Sequence, residues 1–187
     1  NAGMVMAKAI TLFKIFARQK YKPNEILYEM NNDLNLTNPS GTFVTSIIGR
    51  YNLKTDEIEL ANAGHQPALV KTGDEFIEYS SSSTPLGVMK QKNENVYKLE
   101  KFKLNSSRVY CFTDGFSESL DENRNEIGIN GVKELLKRHQ NSKLKIELQK
   151  VTEEIRQKSL KKEYKEKGLE EDKVILDDDL TILGIGK

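Results

Sequence analysis

The chain contains one cysteine, Cys111, and no tryptophan among its 187 residues. A single cysteine excludes an intrachain disulfide and a cysteine-based zinc site, and so low a cysteine content is typical of proteins in the reducing cytoplasm. The formal net charge is only +1, which argues against a general nucleic-acid binder. No apolar run approaches the ~20 residues of a membrane span. We therefore expect a cytoplasmic chain, tethered to a membrane only if an upstream domain anchors it.

Familiar catalytic motifs are also absent. The sequence has no GxxxxGK[ST] or GxGxxG phosphate loop and no GxSxG elbow for a serine nucleophile. Cys111 stands among apolar neighbours, which predicts a buried, inert thiol. Of the two histidines, His65 in "NAGH" is expected to form structural hydrogen bonds, although a base or ligand role is the alternative. His139 is expected to be solvated on a charged helix face.

The apolar periodicity predicts helices at both ends of the chain and strands between them, which is an α+β class. Residues 3–19 and 21–34 predict helices, and Pro23 suits a first turn. The β-branched segment 42–53 predicts a strand buried on both faces, and 57–63 predicts a half-buried strand. The remaining predicted elements are strands at 67–71, 75–80, 95–104 and 108–113, a helix marked by Val132, Leu135 and Leu136, a helix over about 143–162, and a final strand.

Carboxylates follow or precede apolar strands in two places, at Thr113-Asp114-Gly115 and at Asp177-Asp178-Asp179. An aspartate at a strand end is held rigidly yet reaches solvent, as an oxygen ligand of a hard cation must. Gly115 lacks a Cβ, so a ligand or another loop can approach its backbone. The alternative for each segment alone is a turn or a solvated loop.

The loop after Gly115 invites comparison with a calcium-binding EF-hand. Asp121, Asn123 and Asn125 fit loop positions 1, 3 and 5. However, Glu126 stands where glycine is required, and Val132 where a bidentate glutamate is required. We therefore exclude an EF-hand and expect a turn or loop.

Four motifs taken together resemble one family along nearly the whole chain. "GTFVTSIIGRYNLKTDEIELANAGHQPALV" is similar to the central strands of the bacterial SpoIIE/RsbU-type serine phosphatases, a branch of the metal-dependent protein phosphatase 2C (PP2C) superfamily. "STPLGV" resembles their Pro-Leu-Gly segment, "VYCFTDGFSESLDENRNEIG" their TDG motif with its acidic loop, and "DDDLTILGIG" their closing DD-x-T motif.

The resemblance implies two stacked antiparallel sheets flanked by helices, and two Mn²⁺ or Mg²⁺ ions that activate a water to attack phosphoserine or phosphothreonine. No protein nucleophile is then needed. Asp114 and Asp178 are the implied metal ligands. Asp179 is the second acid of the closing motif. Because Asp177 is an additional acid, the motif can be aligned with the sequence in two ways that differ by one residue, and Thr181 serves as the anchor of the alignment. The family's "NAGH" segment (Asn62, Gly64 and His65 here) carries no metal ligand, which implies a structural role.

Two family motifs, a Gly-Gly-Asp strand and Asp-x-Ser-Gly-x-Gly, are missing from the sequence, and its start resembles the helix after the second. We therefore expect residues 1–187 to be one partial phosphatase domain that lacks its first strands. This chain alone is expected to be inactive, to bind metal weakly and to form a homodimer through exposed sheet edges.

The leading hypothesis is a metal-dependent serine/threonine protein phosphatase acting on a phosphorylated regulatory protein, such as the STAS-domain anti-sigma-factor antagonists that family members dephosphorylate. The alternative is a non-catalytic, phosphatase-like module that binds a partner protein. A small-molecule hydrolase on the same scaffold has no support in the sequence.

Overall fold

The structure is a computed structural model that describes residues 2–38, 41–121, 123, 125–167 and 180–186, the last ten of residues 125–167 by backbone only. The chain divides into two compact units. Unit 1 comprises Asn1–Ala68 and Glu78–Asn105, and unit 2 comprises Leu69–Ile77 and Ser106–Lys187. In chain order the elements are α1 (Ala2–Arg18), α2 (Pro23–Thr37), β1 (Ser46–Asn52), β2 (Glu57–Ala63), β3 (Ala68–Thr72), β4 (Glu75–Tyr79), a 3₁₀ turn (Glu94–Val96), β5 (Glu100–Lys103), β6 (Arg108–Phe112), α3 (Asp114–Ser117), α4 (Gly128–His139), α5 (Leu144–Lys167) and β7 (Ile182–Ile185).

Unit 1 is built on a three-stranded antiparallel sheet in the order β1-β2-β5. Helix α2 begins at Pro23, whose fixed φ suits the first turn, where no helical N–H bond is lost. The apolar stripe of α2 is fully buried in the unit 1 core, as its spacing predicts: Ile26, Leu27, Met30 and Leu34. Both N-terminal helices are therefore confirmed.

The burial of β1 and β2 is the reverse of the prediction. Ile48 is the one buried residue of β1, and Phe43, in the segment before it, is 58% exposed. In contrast, β2 is buried at every position from Ile58 to Ala63. The reason is strand order, because β2 lies between β1 and β5, whereas β1 is an edge strand of this sheet.

Glu59 shows how β2 tolerates a buried acid. Its neighbours across the sheet are Arg50 and Lys101. Arg50 Nε donates to Glu59 Oε2 at 2.9 Å, and Lys101 Nζ lies 2.7 Å from Oε1. The hydrogen bond from Lys101 and the nearby Arg50 lower the pKa of Glu59 although burial opposes them. The carboxylate is thus buried as part of a charged triad.

Unit 2 is built on a four-stranded sheet in the order β4-β3-β6-β7. The turn between β3 and β4 uses Gly73 at φ 58°, a left-handed conformation that glycine adopts without strain. The predicted hairpin is therefore confirmed. Apolar side chains of both α4 and α5 form the core with the sheet: Val132, Leu135, Leu136, Val151 and Ile155.

The contact between α4 and α5 corrects one prediction. The ring nitrogen Nε2 of His139 lies 2.9 Å from Glu154 Oε2, and 19% of the His139 side chain is exposed. Arg138 pairs with the other oxygen of the same carboxylate. His139 is therefore not a solvated residue, because the neighbouring helix supplies an acid that the local sequence of α4 does not reveal.

The described elements are two antiparallel sheets with flanking helices, which confirms the predicted α+β fold class. Within the described ranges, no helix is long and apolar enough to cross a membrane. The prediction that residues 1–187 form one partial domain stays a prediction.

Candidate functional site

Asp114 lies where β6 ends. The strand is anchored by Val109, Tyr110 and Phe112, all buried, and helix α3 begins directly at Asp114. The side chain of Asp114 is exposed, whereas Gly115 after it is buried. The Gly115 N–H donates to Asp114 Oδ1 at 3.1 Å. A rigid strand thus presents an exposed carboxylate, as the sequence predicts for this position.

The backbone after Asp114 is held by short-range hydrogen bonds. The Glu118 N–H and the Ser117 hydroxyl both donate to the Asp114 carbonyl, at 2.8 and 3.0 Å. The Ser119 hydroxyl donates to the Gly115 carbonyl at 2.5 Å. These bonds keep the backbone of Asp114 and Gly115 in one conformation, which a ligand-binding carboxylate requires.

The turn predicted after Ser119 is present. Asp121 Oδ1 accepts from the backbone N–H groups of Asn123 and Asn125, at 2.8 and 2.9 Å. Its carboxylate therefore caps the turn.

The last strand reaches the same end of β6. Phe112 pairs with Ile182, and one residue further Thr113 faces Thr181. The Thr113 N–H donates to the Thr181 carbonyl at 3.0 Å, and the Thr181 N–H donates to Thr113 Oγ1 at 3.1 Å. The residue before Asp114 is thereby joined to Thr181, the anchor of the closing motif. The predicted site residues Asp177, Asp178 and Asp179 lie outside the described residues.

Whether this region fits a divalent cation depends on its donors. Asp114 provides an exposed carboxylate oxygen, the ligand type that Mg²⁺ and Mn²⁺ prefer. Among the described residues, no three His, Cys, Asp or Glu side chains come together as a metal-binding group. The part of the site that the structure describes therefore fits such a cation in donor chemistry and contains one candidate ligand, Asp114.

The "NAGH" segment forms a tight turn at the end of β2. Asn62 Oδ1 accepts from the His65 N–H at 2.9 Å, and Asn62 Nδ2 donates to the carbonyls of His65 and Gln66, both at 3.2 Å. Gly64 has φ +68°, and a Cβ there would lie 2.5 Å from Pro85 of the Pro-Leu-Gly segment. Glycine is therefore required at position 64, and Asn62 and His65 hold the turn together.

Cys111 is a free thiol on β6. Burial raises its pKa to about 11, so that it is protonated at neutral pH. A protonated thiol is a poor nucleophile, which agrees with the inert role predicted for it.

The hydroxyl of Thr113 is the feature of this region that sequence reasoning missed. A threonine before Asp-Gly reads as an ordinary helix cap, and only the strand register reveals its contact with Thr181.

Solved structures that are similar to this chain include the following three. The PP2C domain of SiaA from Pseudomonas aeruginosa has a TM-score of 0.76 and 17% identity, covering 98% of this chain and 68% of that one. RsbX in complex with magnesium has a TM-score of 0.64 and 17% identity, with coverages of 98% and 73%. The phosphatase domain of SpoIIE from Bacillus subtilis, presoaked with Mn, has a TM-score of 0.57 and 16% identity, with coverages of 95% and 72%. The fold is that of PP2C-type phosphatases.

No curated protein matches the chain in sequence. Residues 1–186 match the family described as Stage II sporulation protein E (SpoIIE). The chain therefore belongs to the SpoIIE family, which confirms the resemblance drawn from its motifs. Family and fold together support a phosphatase.

Proposed function

We propose that this chain is part of the phosphatase domain of a metal-dependent enzyme that hydrolyses phosphoserine or phosphothreonine on a regulatory protein. The observation that carries the proposal is the pairing of Thr113 with Thr181. It joins the residue before Asp114 to Thr181, which stands two positions after the acidic run in the sequence. Asp114 directly follows Thr113, and the acidic run Asp177–Asp179 ends two residues before Thr181. The two acidic segments begin 63 positions apart, yet each is close in sequence to one member of this hydrogen-bonded pair.

The proposed roles follow from carboxylate chemistry. Asp114 and Asp178 would each give an oxygen to a divalent cation, with Asp179 or Asp177 completing or supporting the set. A bound Mn²⁺ or Mg²⁺ would supply water of lowered pKa and would neutralise charge on the phosphoryl oxygens. The chain itself holds the Asp114 carboxylate at the end of β6. No side chain is proposed as a nucleophile, in keeping with the protonated Cys111.

The proposed substrate is a phosphorylated protein, with no role for nucleic acid. An anti-sigma-factor antagonist of the STAS type is the candidate, supported by the resemblance of the motifs. A homodimer is a further proposal, which sedimentation at two protein concentrations tests.

The experiment compares Asp114→Asn and Asp178→Asn with Asp74→Asn in the protein as its gene encodes it. Asp74 is an exposed acid of unit 2 in the turn between β3 and β4, so its substitution makes the same charge change away from the site. Mn²⁺-dependent hydrolysis of a phosphoserine protein is measured. Loss of a residue that merely supports a metal ligand costs 10–100-fold. We therefore expect each site variant to lose at least about 100-fold, and Asp74→Asn to lose less than about twofold.

Circular dichroism is expected to be the same for all three variants, because Asp114 and Asp74 are exposed and each substitution replaces an acid by the amide of the same shape. Near-wild-type rates for Asp114→Asn and Asp178→Asn would refute the proposal. An encoded protein that hydrolyses no phosphoprotein with Mn²⁺ or Mg²⁺, but binds one, would support the non-catalytic alternative instead.

A further inference from the structure

A cavity of about 350 Å³ lies in unit 2, bounded by the loop that follows α3. Its walls come from both ends of the loop 119–127 and from one face of α4, and the buried Ile155 of α5 contributes to its base. Pockets for small ligands have volumes of ~300–1,000 Å³. The cavity is at the lower end of this range, so it has room for one long side chain but not for a large cofactor.

The wall next to α3 is preformed. The Ile127 N–H donates to the Ser119 carbonyl at 2.8 Å, and Leu120 and Glu126 form an antiparallel bridge. The Gly131 N–H donates to the Ile127 carbonyl at 2.9 Å, which attaches the loop to the first turn of α4. Because these bonds join both ends of the loop to each other and to α4, a ligand can bind without ordering this wall.

The base of the cavity is apolar and its rim is acidic. The apolar side chains are Leu120, Ile127, Leu135 and Ile155, and the acids are Asp121, Glu126 and Glu134. Asp121 Oδ1 already accepts the N–H groups of Asn123 and Asn125. In contrast, Glu126 and Glu134 are exposed, and no Lys or Arg among the described residues pairs with either of them. Two carboxylates beside an apolar base are therefore available to a ligand.

The cationic residue that lines the cavity is Arg138. It pairs with Glu154, an acid that does not line the cavity, so its charge is offset from outside. The cavity therefore presents a negative charge. Arginine and lysine side chains combine an aliphatic stem with a cationic head, which matches an apolar base below an acidic rim. Arginine fits better, because its planar guanidinium has five N–H donors and can bridge two carboxylates.

From this geometry we infer that the cavity binds an arginine side chain of a protein partner, which under the proposed function is the phosphoprotein substrate. Ser119 connects the cavity to the candidate site, because it lines the cavity and its hydroxyl donates to the Gly115 carbonyl at 2.5 Å. The five residues from Asp114 to Ser119 span about 8 Å along a helical path. An extended chain covers ~3.3–3.6 Å per residue, so the arginine is expected at least about two residues from the phosphoserine. The inference thereby rests on the proposed function, which puts the phosphoserine near Asp114.

The experiment measures binding of labelled phosphoserine peptides to the full encoded protein by fluorescence anisotropy, without metal so that no hydrolysis occurs. One arginine is moved a position at a time along either side of the phosphoserine in an otherwise uncharged peptide. A matched peptide carries citrulline, which keeps the shape of arginine without its charge. We expect a preferred position at which arginine binds at least about fivefold more tightly than citrulline, because this corresponds to the strongest exposed ion pairs and the cavity partly shields the pair from water.

Two double variants test whether the cavity is responsible. Glu126→Gln combined with Glu134→Gln removes both carboxylates and should reduce the preference to less than about twofold. Glu75→Gln combined with Glu153→Gln makes the same change of charge at exposed positions of unit 2 outside the cavity, and should keep the preference. With Mn²⁺ present, the cavity variant should raise KM for the arginine peptide and leave kcat unchanged, because the arginine contributes only to binding.

Equal binding of the arginine and citrulline peptides at every position would overturn the inference, and so would a preference that persists in the cavity variant. Arginine amide that binds as tightly as the peptide would indicate a site for a free cation and would also overturn it. If phosphoserine peptides are hydrolysed with Mn²⁺ but arginine has no effect, the inference fails and the proposed function stands. If a cavity-dependent preference is found but no peptide or phosphoprotein is hydrolysed, the proposed function fails and the arginine site stands.

Discussion

Replacing Glu147 by alanine is expected to destabilise unit 2 strongly. Glu147 lies in the first turn of α5, and none of its side chain is exposed. Oε2 pairs with Arg108, and Oε1 accepts from the Tyr110 hydroxyl at 2.7 Å. Both partners lie on β6, so one carboxylate attaches α5 to the strand that leads to Asp114.

The magnitude follows from what the substitution leaves behind. Removing one partner of a buried ion pair costs ~3–5 kcal/mol, and an orphaned buried hydroxyl costs ~1–3 kcal/mol. These costs overlap, since they describe one network. Arg108 is 21% exposed and keeps bonds to the carbonyls of Gln140 and Ser142, both at 3.2 Å. We therefore expect a loss of ~3–4 kcal/mol, or a fall in melting temperature of roughly 6–16 °C.

The assay is thermal unfolding combined with hydrogen exchange, because the chain has two compact units and exchange reports on unit 2 separately. Amides of α5 and β6 should exchange faster, whereas those of β2 should not. Glu153→Ala is the control: it removes an exposed glutamate from the same helix and should change stability by less than ~0.5 kcal/mol. The reasoning is refuted if Glu147→Ala is no more destabilising than Glu153→Ala.

Two further predictions concern titration. Lys101 and Arg50 lower the pKa of Glu59 from its ordinary value of 4.5. The ionised Glu59 side chain therefore contributes its full stabilisation above pH 4.5, and this stabilisation is lost as the pH falls through the lower pKa of the folded state. Glu59→Gln should flatten the decline of melting temperature between about pH 6 and pH 3, and an unchanged decline would contradict this. The pKa of Cys111 is raised by burial from 9.0 to about 11, so stability should fall as the pH rises through that range, and Cys111→Ala should remove this part of the fall. Native protein at neutral pH should react with iodoacetamide far more slowly than urea-unfolded protein, and equal rates would disprove the burial of the thiol.

The helices and the hairpin could be predicted because their signals are local. The buried stripe of α2 repeats at helical spacing, Pro23 indicates where the helix begins, and Gly73 indicates the turn between β3 and β4. Each of these signals depends on neighbours within a few residues. Local physics is sufficient for such elements.

The burial of strands could not be predicted in the same way. Segment 42–53 has the larger β-branched and aromatic side chains, yet β2 is the buried strand because it is central in its sheet. Strand order depends on contacts between distant parts of the chain, which periodicity does not contain. His139 is a second example, since its acid partner Glu154 belongs to the next helix.

The position of Glu147 in the sequence already indicates a buried acid, although the sequence analysis did not use it. It lies on the same helical face as Leu144, Leu148 and Val151. An acid within an apolar stripe implies a buried partner, because an unpaired buried charge is costly. The identity of the partners, Arg108 and Tyr110, required the structure.

Glu59 and Glu147 also help to define what is different about Asp114. Among the described residues, each unit buries one glutamate: Glu59 pairs with Arg50 and Lys101, and Glu147 pairs with Arg108. Asp114 has the opposite environment: it is exposed, its Oδ1 accepts from a backbone N–H, and within the described part of the chain no Lys or Arg pairs with it. A carboxylate that is held in place and has no cationic partner among the described residues is available to a ligand. Within the described part of the chain, placement at a strand end without a Lys or Arg partner is therefore what separates Asp114 from the structural acids Glu59 and Glu147.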